Sequence, residues 1–428
     1  MIDSRAGRAI GNNINVPIWV RGLFYGSTVL FFILFLTYAG KAFFNLLNYR
    51  ESISALDLKQ RWVDQKYFLD RQNPYDVLFN VTGQSSPHRS VRLLEAVGKP
   101  FHGGLPPWAF TLLLPIVWSG SIVTAHLWHG FLSFLAFFAI GWQVNKIGHP
   151  FNLRSRVWLI GAVLAVSSFA SCVSGGQFTL HLFALNLATI LLANANYQVW
   201  AGVLLGFSMI KPQVSFLFFL PFLFRSQFRV VAAGVATVVL ASLTTWVICR
   251  TNPILMTQQM LQATRAYSQC SYSIINWLNV AGIPYSTALV LTGVLFLTLA
   301  VICSWSFRGA DLLEQFALLA CIERLMTYHT FYDNSLMAYL LLILGLKVLH
   351  RGSLGICVWF SIIGATLWIP PSISTPQNLM IVNGLQFTTS NDAPVPHTQI
   401  AIWLVSLLVG VISLRQTLLD KKRSLPPS

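Results

Sequence analysis

Apolar runs, most of about 15 to 25 residues and two of them shorter, follow one another from Leu23 to Leu414, punctuated by glycine, proline or charge. A helix needs roughly 20 apolar residues to cross the hydrocarbon core of a bilayer, and within that core each backbone N–H and C=O must be paired inside its own segment. A chain patterned in this way folds as an all-α polytopic membrane protein. Charged residues make up 10% of the 428 and mean hydropathy is +0.63, against about 25% charged in a soluble domain. A soluble enzyme is therefore excluded.

The runs predict twelve transmembrane helices, at about Leu23–Leu46, Ser121–Asn145, Val157–Val173, Phe178–Ala193, Val199–Ile210, Val214–Phe224, Phe228–Ile248, Ser286–Ser306, Leu312–Thr327, Ser335–Leu349, Leu354–Pro370 and Ile400–Leu414. The first has no small-residue cleavage site before Lys41 and reads as an uncleaved signal anchor. With the N-terminus in the cytoplasm, Lys146, Arg154, Arg156, Arg225, Arg229, Arg308, Lys347, Arg351 and Lys421–Arg423 all fall inside, as the positive-inside rule requires. The alternation closes only if Pro106–Trp118, short and interrupted by Pro115, does not span. The net charge of +15 thus reports orientation in the plasma membrane, and no nucleic-acid partner is expected.

Three stretches then lie outside: Tyr49–Leu105, Arg250–Tyr285 and Pro371–Thr398. The first holds fourteen of the forty-one charged residues, six of the thirteen acids among them. Within it Ser54–Asp70 sets Leu56, Val63, Tyr67 and Phe68 among charges, as in an amphipathic helix on the membrane surface. No repeats or linkers divide residues 1–428, which read as one domain. The six cysteines show no CxxC spacing, and only Cys249 and Cys270 fall where a disulfide would lie outside the bilayer. His126, His129 and His181 lie in or beside apolar helices without the HxxxH spacing of a metal pair, and only the three-residue separation of His126 and His129 leaves such a pair open. No metal and no cofactor is expected. A Walker loop, a GxGxxG turn and an acid dyad of the DxD kind are all missing, which argues against a nucleotide sugar as direct donor.

Any one acid of the first external loop reads first as a solvated surface charge. The pattern Asp57, Trp62, Leu69, Asn73-Pro74-Tyr75-Asp76, then Gly104-Leu105-Pro106-Pro107 before an apolar run, resembles the first external loop of the polyprenol-phosphate-dependent hexosyltransferases. These include mannosyl- and arabinofuranosyltransferases of the C-type (GT-C) membrane glycosyltransferases. A second block, Gly175-Gly176-Gln177-Phe178, Ala201-Gly202-Val203 and Ile210-Lys211-Pro212-Gln213, is similar to that family's Gly-Gln, Ala-Gly and Lys-Pro sequence. Ser271-Tyr272-Ser273 and Tyr328-His329 match more weakly. Leu105 stands where the family has an aromatic residue before Pro-Pro, and Arg71-Gln72 replaces its glycine before Asn-Pro-Tyr.

The resemblance implies a GT-C-type bundle that moves mannose or another sugar, with inversion, from a polyprenyl-phosphate donor to a glycolipid or glycan acceptor on the extracytoplasmic face. It makes Asp57 the catalytic aspartate. An acceptor hydroxyl needs a base within hydrogen-bond reach, and a departing phosphate needs cations or donors. Gln177, Lys211, Arg324, Tyr328, His329 and Trp62 are the candidates for donor-phosphate or substrate binding. Each has a plainer alternative. Lys211 snorkels or meets the phosphate; Arg324 pairs with Glu323 or meets the phosphate; His329 is a boundary histidine or orients a substrate. His102, before the Pro-Pro turn, is similarly placed. A lipid-linked sugar flippase or a polysaccharide polymerase is the competing function. A flippase usually shows two related halves, and none are visible in this sequence.

Overall fold

The computed structural model describes residues 18–47, 56–75, 105–117, 120–264, 273–326, 331–370, 379–382, 385–388 and 394–423. Among these the chain is helical almost throughout. The helices are Ile18–Leu47 (α1), Leu56–Leu69 (α2), Pro107–Val117 (α3), Ile122–Ile147 (α4), Leu153–Leu164 (α5), Ser167–Gly175 (α6), Thr179–Asn194 (α7), Gln198–Ser208 (α8) and Pro212–Ser215 (α9). After them come Phe219–Phe224 (α10), Phe228–Cys249 (α11), Pro253–Thr264 (α12), Ile274–Val280 (α13), Tyr285–Ser306 (α14), Leu312–Met326 (α15), Ala338–Arg351 (α16), Leu354–Trp368 (α17) and Pro394–Arg423 (α18). Phe216–Phe218 and Phe331–Met337 are 3₁₀ turns, and Leu379–Val382 (β1) pairs antiparallel with Leu385–Thr388 (β2), Leu379 opposite Thr388.

Each of the twelve apolar runs is helical, but their lengths differ. Gly22–Leu47, Ile122–Ile147, Phe228–Cys249, Tyr285–Ser306 and Tyr332–His350 are long and apolar enough to cross a membrane, and α5 with α6, bent by 48°, makes a sixth if it is one broken span. The protein is a polytopic helical bundle; a count of twelve spans would need the shorter apolar helices as well. An 11-residue helix such as α8 rises only about 16 Å, roughly half the hydrocarbon core. The same arithmetic applies to α3, which also has 11 residues.

Helix ends follow local chemistry. The Ser121 hydroxyl accepts the Thr124 N–H (3.2 Å) and the Asn152 side chain the Ser155 N–H (2.9 Å), capping α4 and α5. Small residues set the closest packing. A Cβ on Gly202 of α8 would lie 2.3 Å from the Val230 carbonyl oxygen of α11, and one on Gly206 would lie 2.8 Å from that of Gly234. This is the close backbone approach that a small-xxx-small pair permits between membrane helices, so the Ala201-Gly202-Val203 block acts in packing. One large apolar core runs through the bundle from Phe31 and Leu46 to Trp403 and Leu414, while Phe138, Leu240 and Leu295 face outward, as a hydrocarbon solvent allows.

Candidate active site

The acid-rich segment after α1 forms α2, within the range its pattern predicts. This helix packs on α3, α4 and the end of α6. Its far end is tied down by the Asn-Pro-Tyr block. The Asn73 side chain accepts the Tyr75 N–H (3.2 Å) and donates to Gln259 (2.9 Å), and the Tyr75 hydroxyl donates to the Leu105 carbonyl. Gln65 donates to the Phe110 carbonyl (2.8 Å), and Phe68, Tyr75, Phe110, Cys249 and Met256 form a small core beneath the helix.

Asp57, half-buried, stands in the first turn of α2. Its partner comes from the second motif block. Gly176 ends α6 with φ +74°, and the chain turns so that Gln177, whose N–H reaches the Cys172 carbonyl (2.8 Å), donates its side-chain amide to Asp57 Oδ2. The left-handed φ favours glycine, and the contact demands it: a Cβ on Gly176 would sit 2.3 Å from Leu58 Cβ and 2.7 Å from its backbone nitrogen. The Gly-Gln pair thus docks the helix and orients its carboxylate.

Directly behind this turn lies a second polar group. Lys211, the residue between α8 and α9, is buried and ion-paired with Asp333 of the Phe331–Met337 turn. Asp333 also accepts the Thr179 hydroxyl (2.9 Å), Thr179 lies 3.4 Å from the Lys211 ammonium, and that ammonium is 4.6 Å from the centre of the Tyr332 ring. The Cys172 thiol faces the Tyr332 carbonyl at 3.7 Å, so the turn holds the Cys172–Thr179 segment at two points. The next residue, Asn334, accepts from Arg324 Nε (3.0 Å) and Nη2 (2.8 Å), and the guanidinium lies 4.6 Å from the centre of the Trp403 ring. Glu323, fully buried, faces the backbone N–H groups of Phe216 and Leu217.

Asp57, Gln177, Lys211 and Arg324 are therefore brought to one end of the bundle through Thr179, Asp333 and Asn334. Trp62 leaves α2 about 140° round from Asp57 and packs with Val63 and Tyr67 under the Lys66 ammonium. Tyr328, His329, His102 and Cys270 lie outside the described residues. Cys249 is a free thiol, facing the Gln72 carbonyl at 3.5 Å. His129 and His181 rings are 5.3 Å apart, but among the described residues no three His, Cys, Asp or Glu side chains are grouped to hold a metal ion.

Sequence reasoning missed Asp333 and Asn334. The signal was slight: Asp333 falls between two of the predicted spans, close after the Tyr328-His329 motif, and the structure takes it into the apolar segment Tyr332–His350, where an acid is a functional candidate by default. Asp64 is a correction. Read as a solvated acid, it is 1% exposed, 3.6 Å from Arg61, with both oxygens lacking a hydrogen-bond partner. Burial pushes its pKa up to about 7, with Arg61 pulling it back part of the way.

A family model described as glycosyltransferase family 87 matches residues 105–327, just over half of the chain. The chain belongs to glycosyltransferase family 87. It is a multi-pass membrane glycosyltransferase. The matched stretch of this family 87 protein takes in Gln177, Lys211 and Arg324, with Asp57 and Trp62 before it and Tyr328 and His329 just after it. No curated protein and no solved structure matches the chain.

Proposed function

We propose that this family 87 enzyme transfers a sugar, mannose or another hexose or pentose, from a polyprenyl-phosphate donor to a glycolipid or glycan acceptor at the extracytoplasmic face of the plasma membrane. Asp57 takes the proton of the acceptor hydroxyl as its oxygen attacks the anomeric carbon from the face opposite the phosphate. The bond from that carbon to the phosphate oxygen breaks, its electron pair stays on the phosphate, and the configuration inverts. Gln177 holds Oδ2, which leaves Oδ1 for the acceptor.

Lys211 and Arg324, with Tyr328 and His329, are the groups assigned to the departing phosphate. An ammonium has three donors, of which Asp333 and Thr179 face two; the third is assigned to the donor. The ion pair offsets the penalty of burying a lone cation and fixes it in place. The reading rests chiefly on the Asp57–Gln177 contact, which joins two motif blocks 120 residues apart. Family membership favours transfer over a flippase.

The test is to incubate membranes carrying the protein with radiolabelled polyprenyl-phosphate mannose, and separately with other polyprenyl-phosphate sugars, then extract and identify labelled lipids. A product that needs one of these donors is expected. Product formed from a nucleotide sugar and from none of the polyprenyl donors would overturn the proposal.

A further inference from the structure

The covered side of α2 is more polar than docking requires. Gln60, Asp64 and Gln65 are all buried, although a surface helix ordinarily covers its apolar face and leaves the polar one to water. Arg61 Nη1, both Asp64 oxygens and Gln65 Oε1 are shielded from solvent without a hydrogen-bond partner among the described residues. Arg61 Nη1 stands 3.6 Å from Asp64 Oδ2, beyond hydrogen-bond reach. Each unmet atom of this kind destabilises the fold. A ligand rich in hydroxyls satisfies all of them, because a hydroxyl donates to a carboxylate or amide oxygen and accepts from a guanidinium.

Asp57, Arg61 and Asp64 follow at i, i+4 and i+7 and so share one face of α2. Arg61 and Asp64 stand about one and two turns from the carboxylate assigned to the acceptor proton. Asp57 and Arg61 are partly exposed while Asp64 is 1% exposed, so the row opens at Asp57 and closes inward. Direction separates it from the groups assigned to the phosphate. Gln177, with Thr179 and Lys211 behind it, meets α2 at Asp57. Arg61 and Asp64 lead away from there toward α3, where Gln65 donates to the Phe110 carbonyl (2.8 Å) and Phe68 stacks on the Phe110 ring, 6.0 Å between centres. In an inverting displacement the attacking hydroxyl and the leaving group lie on opposite faces of the sugar, which puts the acceptor on the Arg61 side.

We propose that Arg61 and Asp64 form the acceptor-sugar subsite: Asp64 accepts hydrogen bonds from hydroxyls of the acceptor, and the Arg61 guanidinium donates to one of its oxygens. The acceptor is then a carbohydrate, at the head of a lipid or within a glycan, and not a lone alcohol such as a serine side chain. This inference rests on the transfer reading given above and adds groups that bind the acceptor without taking part in the chemistry.

The test uses purified full-length wild type, Asp64→Asn, Arg61→Gln and, as control, Asp70→Asn, an exposed acid just after α2. The probe is the glycolipid fraction extracted from the native membranes. In native mass spectrometry, wild type and Asp70→Asn are expected to retain one glycolipid, and Asp64→Asn and Arg61→Gln to retain it at least tenfold less. In transfer from the radiolabelled polyprenyl-phosphate sugar, the amount of this fraction giving half-saturation is expected to rise at least tenfold in both variants, with the KM for donor within twofold of wild type. A wild type that holds no glycolipid, or variants that bind and use the fraction as wild type does, would overturn the subsite. A merely structural pair would shift donor and acceptor half-saturation alike, and that result overturns it too. If Arg61→Gln fails to fold, Asp64→Asn, which keeps the side chain's shape, decides. Glycolipid binding that falls in the variants of a protein that transfers from no polyprenyl donor would leave the subsite standing and overturn the transfer reading alone.

Discussion

Gly176→Ala is the sharpest perturbation of the site that leaves every polar group in place. A Cβ there would lie 2.3 Å from Leu58 Cβ, 2.7 Å from its nitrogen and 2.9 Å from its Cα, where ordinary contact begins near 3.4 Å. The start of α2 must therefore retreat by about 1.1 Å (3.4 − 2.3), and Leu58 is the residue next to Asp57. A misplacement of about 1 Å at a reacting group costs about 10²-fold in rate, while the left-handed φ of +74° adds strain of roughly 1–2 kcal/mol for a residue with a Cβ. Gly282 separates the two effects: it has φ +91° and nothing within 4 Å of its Cβ position. Transfer rate and thermal midpoint are measured on purified variants. Gly176→Ala is expected to lose about 10²-fold in turnover and a few degrees in melting, and Gly282→Ala to lose the degrees alone. Turnover in Gly176→Ala within about threefold of wild type would refute the claim that the Gly-Gln turn sets the position of Asp57.

Two further outcomes follow from burial and topology. Because the Asp64 pKa rises from 3.8 to about 7 on folding, the folded state holds that proton more tightly than the unfolded chain, so its stabilising effect is full below about pH 4 and is lost as pH rises through about 7. Asp64→Asn should flatten this slope, with a gain at pH 8 of order 4 kcal/mol at most (3 units at about 1.36 each); unfolding midpoints of the two proteins that differ equally at pH 4.5 and 8 would contradict it. In the twelve-span topology, cysteines replacing Gly83 and Asn391 should react with an impermeant maleimide in intact cells and one replacing Ser155 should not, and labelling at Ser155 would sink that arrangement.

Much of this architecture was legible because hydrocarbon is an unforgiving solvent. Apolar length marked the helices, and charge among Leu56, Val63, Tyr67 and Phe68 marked α2. What composition could not give was pairing across distance. Lys211 carries no sign in its own sequence that an acid 122 residues later meets it, nor does Arg324 announce Asn334. Asp64 and Asp70 look alike in sequence, yet the first is buried against α3 and its neighbours while the second is exposed, because helical phase and the docking of Tyr75 decide which face is covered. Span length is a different case: the runs Val199–Ile210 and Val214–Phe224 were already short of membrane depth in sequence, and the structure makes them helices of 11 residues (α8) and, after the 3₁₀ turn, 6 residues (α10).

The central claim is that Asp57, held by Gln177, removes the acceptor proton. It is tested most directly by single-turnover transfer with purified Asp57→Asn, donor binding being measured on the same preparation. The substitution removes a base and almost no volume, so donor affinity should stay close to wild type while the rate falls by about 10²–10⁴-fold. A variant that binds donor normally and keeps more than about a tenth of the wild-type rate would contradict the account.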